Sequence, residues 1–174
     1  MLSICAGDGR DLLGVLKLHP RRADVRARLI ELDEGLVEEG RRGIDALGLG
    51  NIEFVRADAG ETDCYGPIGG LRLVLMCGIF GNLADDDVRR TIEGLPMLLA
   101  MGGTAIWTRH RLVPDLTPTI RAWFAAAGFV ETAFDTIART SASVGSNRLA
   151  AKGPARPLPP RLFEFIGDGA GGLC

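Results

Sequence analysis

Aromatic residues, histidines and cysteines are scarce in this sequence, and so is any excess of charge of one sign. Each shortage removes a class of protein. Phe, Trp and Tyr together supply 6% of the 174 residues, and there are two histidines. The four cysteines, at positions 5, 64, 77 and 174, contain no C-x-x-C pair and are not spaced with the histidines as ligands, so neither a disulfide framework nor a metal site is expected. The formal charge of −2 gives no general attraction to nucleic acid. Local basic character is confined to stretches such as Arg21-Arg22 and Arg109-His110-Arg111. No apolar run is long enough for a membrane span, and the first residues lack the order of a signal peptide, so a cytoplasmic protein without a membrane partner is expected.

What is present is an alternation of apolar strands and amphipathic helices. Residues 2–5 read as a strand, and residues 10–18 as a helix that ends at His19-Pro20, because proline disfavours helical backbone at the residue before it. A second strand covers 25–30. The helix that follows, 34–47, gathers Leu36, Val37, Ile44 and Leu47 on one face. A third strand spans 52–57, and the Gly-, Asp-, Thr- and Pro-rich stretch 60–70 predicts a surface crossing. Residues 71–77 are almost wholly apolar, the pattern of a parallel strand buried on both faces. Asp85-Asp86-Asp87 opens a helix to about residue 99, with its acids at the positive end of the helix dipole. Gly102-Gly103 turns into a fifth strand, 104–108; a helix over 116–127 and an antiparallel pair, 129–137 and 144–151, follow. The alternation predicts a doubly wound α/β sheet in one domain, residues 1–152, with a Pro/Gly-rich C-terminal extension, 153–174. Within that extension, 162–166 is a candidate to dock back on the domain, and 167–174 reads as a frayed tail.

The first strand runs into Ala6-Gly7-Asp8-Gly9-Arg10-Asp11, and in an open α/β sheet that turn is where a nucleotide-like ligand reaches the backbone. A dinucleotide site needs G-x-G-x-x-G, but Leu12 stands where the third glycine belongs. Asp8 and Asp11 also oppose a pyrophosphate. A ligand without phosphates fits better, and S-adenosylmethionine is one, since it joins a sulfonium, an ammonium and a carboxylate to adenosine. Glu31, about twenty residues on at the end of strand two, suits the ribose hydroxyls.

Nearly the whole chain resembles the class I methyltransferase family. Cys5-Ala6-Gly7-Asp8-Gly9 resembles its first motif, Glu31-Leu32-Asp33 its second and Val55-Arg56-Ala57-Asp58-Ala59 its third. Leu73-Val74-Leu75-Met76-Cys77-Gly78 stands at the fourth strand, and Gly102-Gly103-Thr104-Ala105-Ile106-Trp107 matches the turn into the fifth. The resemblance implies a mostly parallel seven-stranded sheet of order 3-2-1-4-5-7-6 with S-adenosylmethionine as cofactor. It places Ala6, Gly7, Asp8, Gly9, Glu31, Leu32, Asp33, Asp58, Ala59 and Cys77 around that cofactor. The acid that the family often has two residues before the first glycine is here Cys5, which leaves Asp8, Asp11 or the Cys77 carbonyl for the amino group. The resemblance also implies helices before strand one that cover the cofactor. None is present before Met1, so the expected cover lies upstream or on a second copy in a homodimer.

Each candidate residue also has a structural reading. Glu31 suits a solvated strand end as well as ribose, and Asp33 suits a helix cap. Asp58 suits either the adenine amino group or a plain Asp-Ala-Gly turn. Asp8 and Asp11 have the spacing of a capping box. On the acceptor side, Phe80 and Asn82 follow strand four and Arg109 follows strand five. His110 is the candidate general base, against a polar loop position. No Asn/Asp-Pro-Pro-aromatic motif follows strand four, which speaks against methylation of nucleic-acid bases. The sequence thus predicts methyl transfer from S-adenosylmethionine to a small molecule. A non-catalytic S-adenosylmethionine-binding module and an NAD(P)-dependent oxidoreductase are the alternatives.

Overall fold

Central strands buried on successive residues and helices buried on one side assemble one sheet with helices on both faces. The computed structural model describes residues 1–66, 70–153 and 157–166. Its strands are β1 (Leu2–Ile4), β2 (Ala27–Glu31), β3 (Ile52–Arg56), β4 (Leu71–Met76), β5 (Leu99–His110), β6 (Phe129–Thr136) and β7 (Ala142–Leu149). Its helices are α1 (Arg10–Leu16), α2 (Glu34–Leu47), α3 (Asp85–Leu98) and α4 (Thr117–Ala126). The seven strands are ordered β3-β2-β1-β4-β5-β7-β6. All neighbours from β3 to β5 pair in parallel, and β7 runs antiparallel to both β5 and β6. This is the doubly wound, Rossmann-like sheet that the resemblance to the class I methyltransferases implied.

The two faces hold separate cores. On one, α1 and α2 bury Leu13, Val37 and Ile44 against Leu29 and Phe54. On the other, Val88, Ile92, Ile120 and Phe124 of α3 and α4 bury Met76 and Trp107. The Trp107 ring lies 5.8 Å from Phe124 and 6.0 Å from Phe80, and its indole N–H donates to Asn147 Oδ1 at 2.8 Å. Trp107 pairs across β5 and β7 with Gly145, where any Cβ would overlap the indole. On the α1/α2 side of β4, β5 and β7, no helix among the described residues takes up the same position: Leu73, Ile106, Thr108 and Val144 are part-exposed there, whereas Val74, Ala105 and Trp107 on the other side are buried.

Two local expectations change. Gly102-Gly103 does not turn into the fifth strand but lies within it, because α3 passes directly into extended backbone at Leu99. The extra residues are absorbed by a bulge: Leu71 pairs with Leu99 and Leu73 with Thr104, and Gly102 sits at φ +76°. Helix α1 stops at Leu16, two residues early. The crossing from β3 to β4 contains a 3-10 turn, Thr62–Tyr65, and no α-helix among its described residues. Beside it, residues 157–166 supply Leu162 and Phe163, both fully buried, to the α3/α4 core. Positions 67–69 of the surface crossing, 154–156 of the extension and the expected frayed tail, 167–174, lie outside the described residues.

Candidate active site

The chain leaves β1 through backbone that glycine favours. Gly7 and Gly9 lie at φ +58° and +75°, and Cys5 shares the left-handed region at φ +54°. Gly9 then precedes α1, and a Cβ there would come within 2.9 Å of Leu29 Cδ2 and 3.2 Å of Phe54 Cε2. The second glycine therefore allows both the turn and the approach of α1 to the sheet.

Glu31 ends β2 with its carboxylate turned back onto this turn. Only 1% of the residue is exposed. Its Oε2 accepts the Gly7 N–H at 2.9 Å, and Oε1 accepts the Leu32 and Asp33 N–H groups at 2.8 and 3.0 Å. A carboxylate offers about four lone-pair positions, so three occupied ones leave room for one further donor. Leu32 follows as an exposed apolar side chain. Asp33 caps α2 by accepting the Leu36 N–H at 2.9 Å.

Beside the turn lies a cleft of about 310 Å³, lined by Cys5, Ala6, Gly7, Asp8, Arg10, Asp11, Leu36 and Cys77. Arg10 donates to both oxygens of Asp8, at 2.6 to 2.9 Å, and these bonds hold the Asp8 carboxyl below the ordinary carboxylate range. The capping-box reading of Asp8 and Asp11 holds in part: Gly9 stands at the N-cap position with no side chain to offer, Asp8 Oδ1 accepts the Arg10 N–H at the start of α1 at 3.0 Å, and Asp11 instead lies against Cys77. Burial first, then the charge of Asp11 and the hydrogen bond to it, push the Cys77 thiol up to about 12. Cys5 and Cys77 meet at this cleft because β1 and β4 are neighbours, with Ser3 in register with Leu75.

At the exit of β3, Asp58 Oδ1 accepts the Gly60 N–H at 2.8 Å, and Oδ2 pairs with Arg161 Nη2 at 2.9 Å. Ala59 is buried, and its carbonyl accepts the Tyr65 hydroxyl at 2.7 Å. Three of these neighbours were not read from the sequence. Arg10 and Leu36 are ordinary surface types by spacing, and Arg161 is separated from Asp58 by 103 residues.

On the other side of β4, the Gly78 N–H donates to Thr108 Oγ1 at 2.7 Å and joins the exits of β4 and β5. The expected acceptor role of the Phe80 side chain is corrected, because the ring is fully buried against Trp107. Only its carbonyl reaches this edge, where the Arg109 guanidinium donates to it. Asn82 is exposed and donates from Nδ2 to the Gly78 carbonyl at 3.0 Å. His110 lies against Gly81, and its buried Nδ1 has no partner among the described residues, nor do Nε of Arg109 and Nε of Arg111. The structure thus gathers Asn82, Arg109 and His110 around the exits of β4 and β5, and none of the three lines the cleft formed by the first motif. Among the described residues there is no metal-binding group of His, Cys, Asp and Glu, and no helix long and apolar enough to cross a membrane.

Comparison with known proteins fits this geometry. Residues 1–128 match the model of a family described as "Putative methyltransferase". Comparison with curated proteins returns no match. Among solved structures, an O-methyltransferase family protein from Burkholderia thailandensis superposes with a TM-score of 0.69 at 18% identity, covering 86% of this chain and 50% of that one. The cyclase SpnF gives 0.67 at 13% identity, covering 86% and 74%, and a SAM-dependent methyltransferase from Aquifex aeolicus gives 0.61 at 14%, covering 86% and 81%. This chain therefore spans about half the length of the Burkholderia protein. At such identities the likeness is one of fold, and the presence of a cyclase among the neighbours shows that the fold alone does not choose a reaction.

Proposed function

The chain belongs to that methyltransferase family, and from this membership we propose that it transfers a methyl group from S-adenosylmethionine to a small-molecule acceptor. The observation that carries the reading is the ionic character of the cleft beside the β1 turn: Asp11, and Asp8 paired with Arg10, where a phosphate-bearing cofactor would need donors alone. A zwitterionic ligand without phosphate suits it. Asp11 offers its charge to an ammonium and Arg10 its guanidinium to a carboxylate. Gly7 and Ala6 allow the backbone to be approached, and the remaining lone pair of Glu31 is available to a ribose hydroxyl. Leu32 supplies apolar surface for a base, and Asp58 an acceptor for its amino group. When bound, the cofactor supplies a methyl already activated on a sulfonium.

The protein's task is then orientation and the exclusion of water. The Gly78–Thr108 bond fixes the edge between the cofactor cleft and the acceptor side. Arg109 and Asn82 hold the acceptor in this reading. His110 takes a proton from it, since a neutral imidazole is a base near neutral pH. A screen of small hydroxyl-, amine- and thiol-bearing acceptors with methyl-labelled S-adenosylmethionine tests the proposal. Labelled product from one acceptor class is expected. Saturable cofactor binding with no transfer to any of them favours a non-catalytic module, and no binding overturns the reading.

A further inference from the structure

Residues 157–166 form a strap between the exits of β3 and β4, and they lie beyond the segment that the family model matches. On the β3 side, Thr62 donates its N–H to the Pro160 carbonyl at 2.9 Å and its hydroxyl to the Pro159 carbonyl at 2.8 Å, and the Leu162 N–H reaches the Gly60 carbonyl at 2.8 Å. On the β4 side, Phe165 bridges to Leu83, and the Ile166 N–H donates to the Asn82 carbonyl at 2.8 Å. Leu162 and Phe163, fully buried between these ends, anchor the strap. Arg161 is thereby held over the exit of β3. Its Nη2 lies 2.9 Å from Asp58 Oδ2 and 2.8 Å from Glu61 Oε1, and its Nε is 3.8 Å from Glu164.

We propose that Arg161 is a positioning residue that acts through Asp58 to make the site select an amino-bearing purine. The proposal rests on Asp58 being the partner of the cofactor's base. With Oδ1 fixed by the Gly60 N–H and Oδ2 by Arg161, the plane of the Asp58 carboxylate is set from both sides. Each oxygen keeps a further lone pair, and the side chain is part-exposed, so an incoming amino group has a place to donate. The ionised carboxylate has no donor to offer a carbonyl at the same position, so a base with an oxygen there meets an acceptor facing an acceptor. Without Arg161, Oδ2 loses its fixed partner, and the Glu61 and Asp58 charges lose the cation between them. A planar guanidinium reaches both acids at once, and a lysine ammonium reproduces only the charge.

The test is calorimetric titration of the full chain with S-adenosylhomocysteine and with its inosine counterpart, in which a carbonyl replaces the amino group. The wild type is compared with Arg161→Gln, Arg161→Lys and Glu61→Gln, each first shown to be folded by its thermal transition. The wild type is expected to prefer the adenosine ligand by roughly tenfold or more, the scale of one hydrogen bond to a charged group. Arg161→Gln should lose most of that ratio, Arg161→Lys should recover part of it, and Glu61→Gln should keep it. A ratio unchanged in folded Arg161→Gln overturns the proposal, and so does an equal weakening of both ligands, the mark of a merely structural strap. A wild type that binds neither ligand overturns the cofactor reading and this proposal with it, and that outcome is distinct from a wild-type preference that Arg161→Gln leaves intact.

Discussion

The buried carboxylate of Glu31 accepts the backbone N–H of Gly7 at 2.9 Å, across 24 residues of sequence. One side chain thus joins the turn after β1 to the turn after β2, and with its second oxygen it gathers the Leu32 and Asp33 N–H groups. Glu31 is a structural tie as well as the expected ribose acceptor.

Glu31→Ala should therefore weaken both folding and binding. Three backbone donors lose their acceptor, and leaving buried polar groups unsatisfied costs about 1–3 kcal/mol each where water does not reach them. Affinity for S-adenosylhomocysteine should fall by about tenfold to a hundredfold in the folded fraction. Denaturant unfolding and calorimetry together check this. An unchanged unfolding midpoint would mean that the carboxylate does not hold the two turns together.

Gly145→Ala should destabilise the fold without touching the cleft. The new methyl would overlap the Trp107 indole, so the ring must shift from Phe124 and strain its bond to Asn147. Overpacking of this kind costs about 1–3 kcal/mol, and the Tm should fall accordingly. An unaltered Tm would show that the β5–β7 pair has slack that the packing does not reveal.

Alkali should reveal the cleft cysteine. Burial pushes the Cys77 thiol up to about 12, from 9.0 ordinarily, so the fold favours its protonated form. That contribution to stability is complete below pH 9 and is lost as pH rises from 9 towards 12, because the unfolded chain ionises first. Cys77→Ala should lose less stability than the wild type between pH 8 and pH 10.5, measured as the change in Tm. Cys64, also raised by burial, to about 11, is common to both proteins and cancels. Equal losses would show that Cys77 is not held protonated.

The sheet was legible in the sequence because apolar strand runs alternate with helical periodicity, and because the resemblance to the class I methyltransferases implies which strands are neighbours. Residues 71–77 are one such run. The bulge at Gly102 was not legible, since a Gly-Gly pair reads equally as a turn, and only the direct passage of α3 into β5 decides between them. Phe80 was misplaced because an aromatic residue after a strand suits a ligand or a core, and burial against Trp107 is a tertiary fact. Glu31 read as a ribose acceptor or a solvated strand end, and its role as a buried tie was not legible, because its bond to Gly7 exists only once β1 and β2 are paired. Arg161 gave no signal at all, since its partner lies 103 residues away.

Direct titration of the folded chain with S-adenosylmethionine, S-adenosylhomocysteine and NADH tests the central claim. The cleft beside Gly7, Asp11 and Cys77 predicts saturable one-to-one binding of the first two, in competition with each other, and none of NADH. Binding of NADH, or no binding of S-adenosylmethionine up to millimolar concentration by a chain with a cooperative thermal transition, would contradict it.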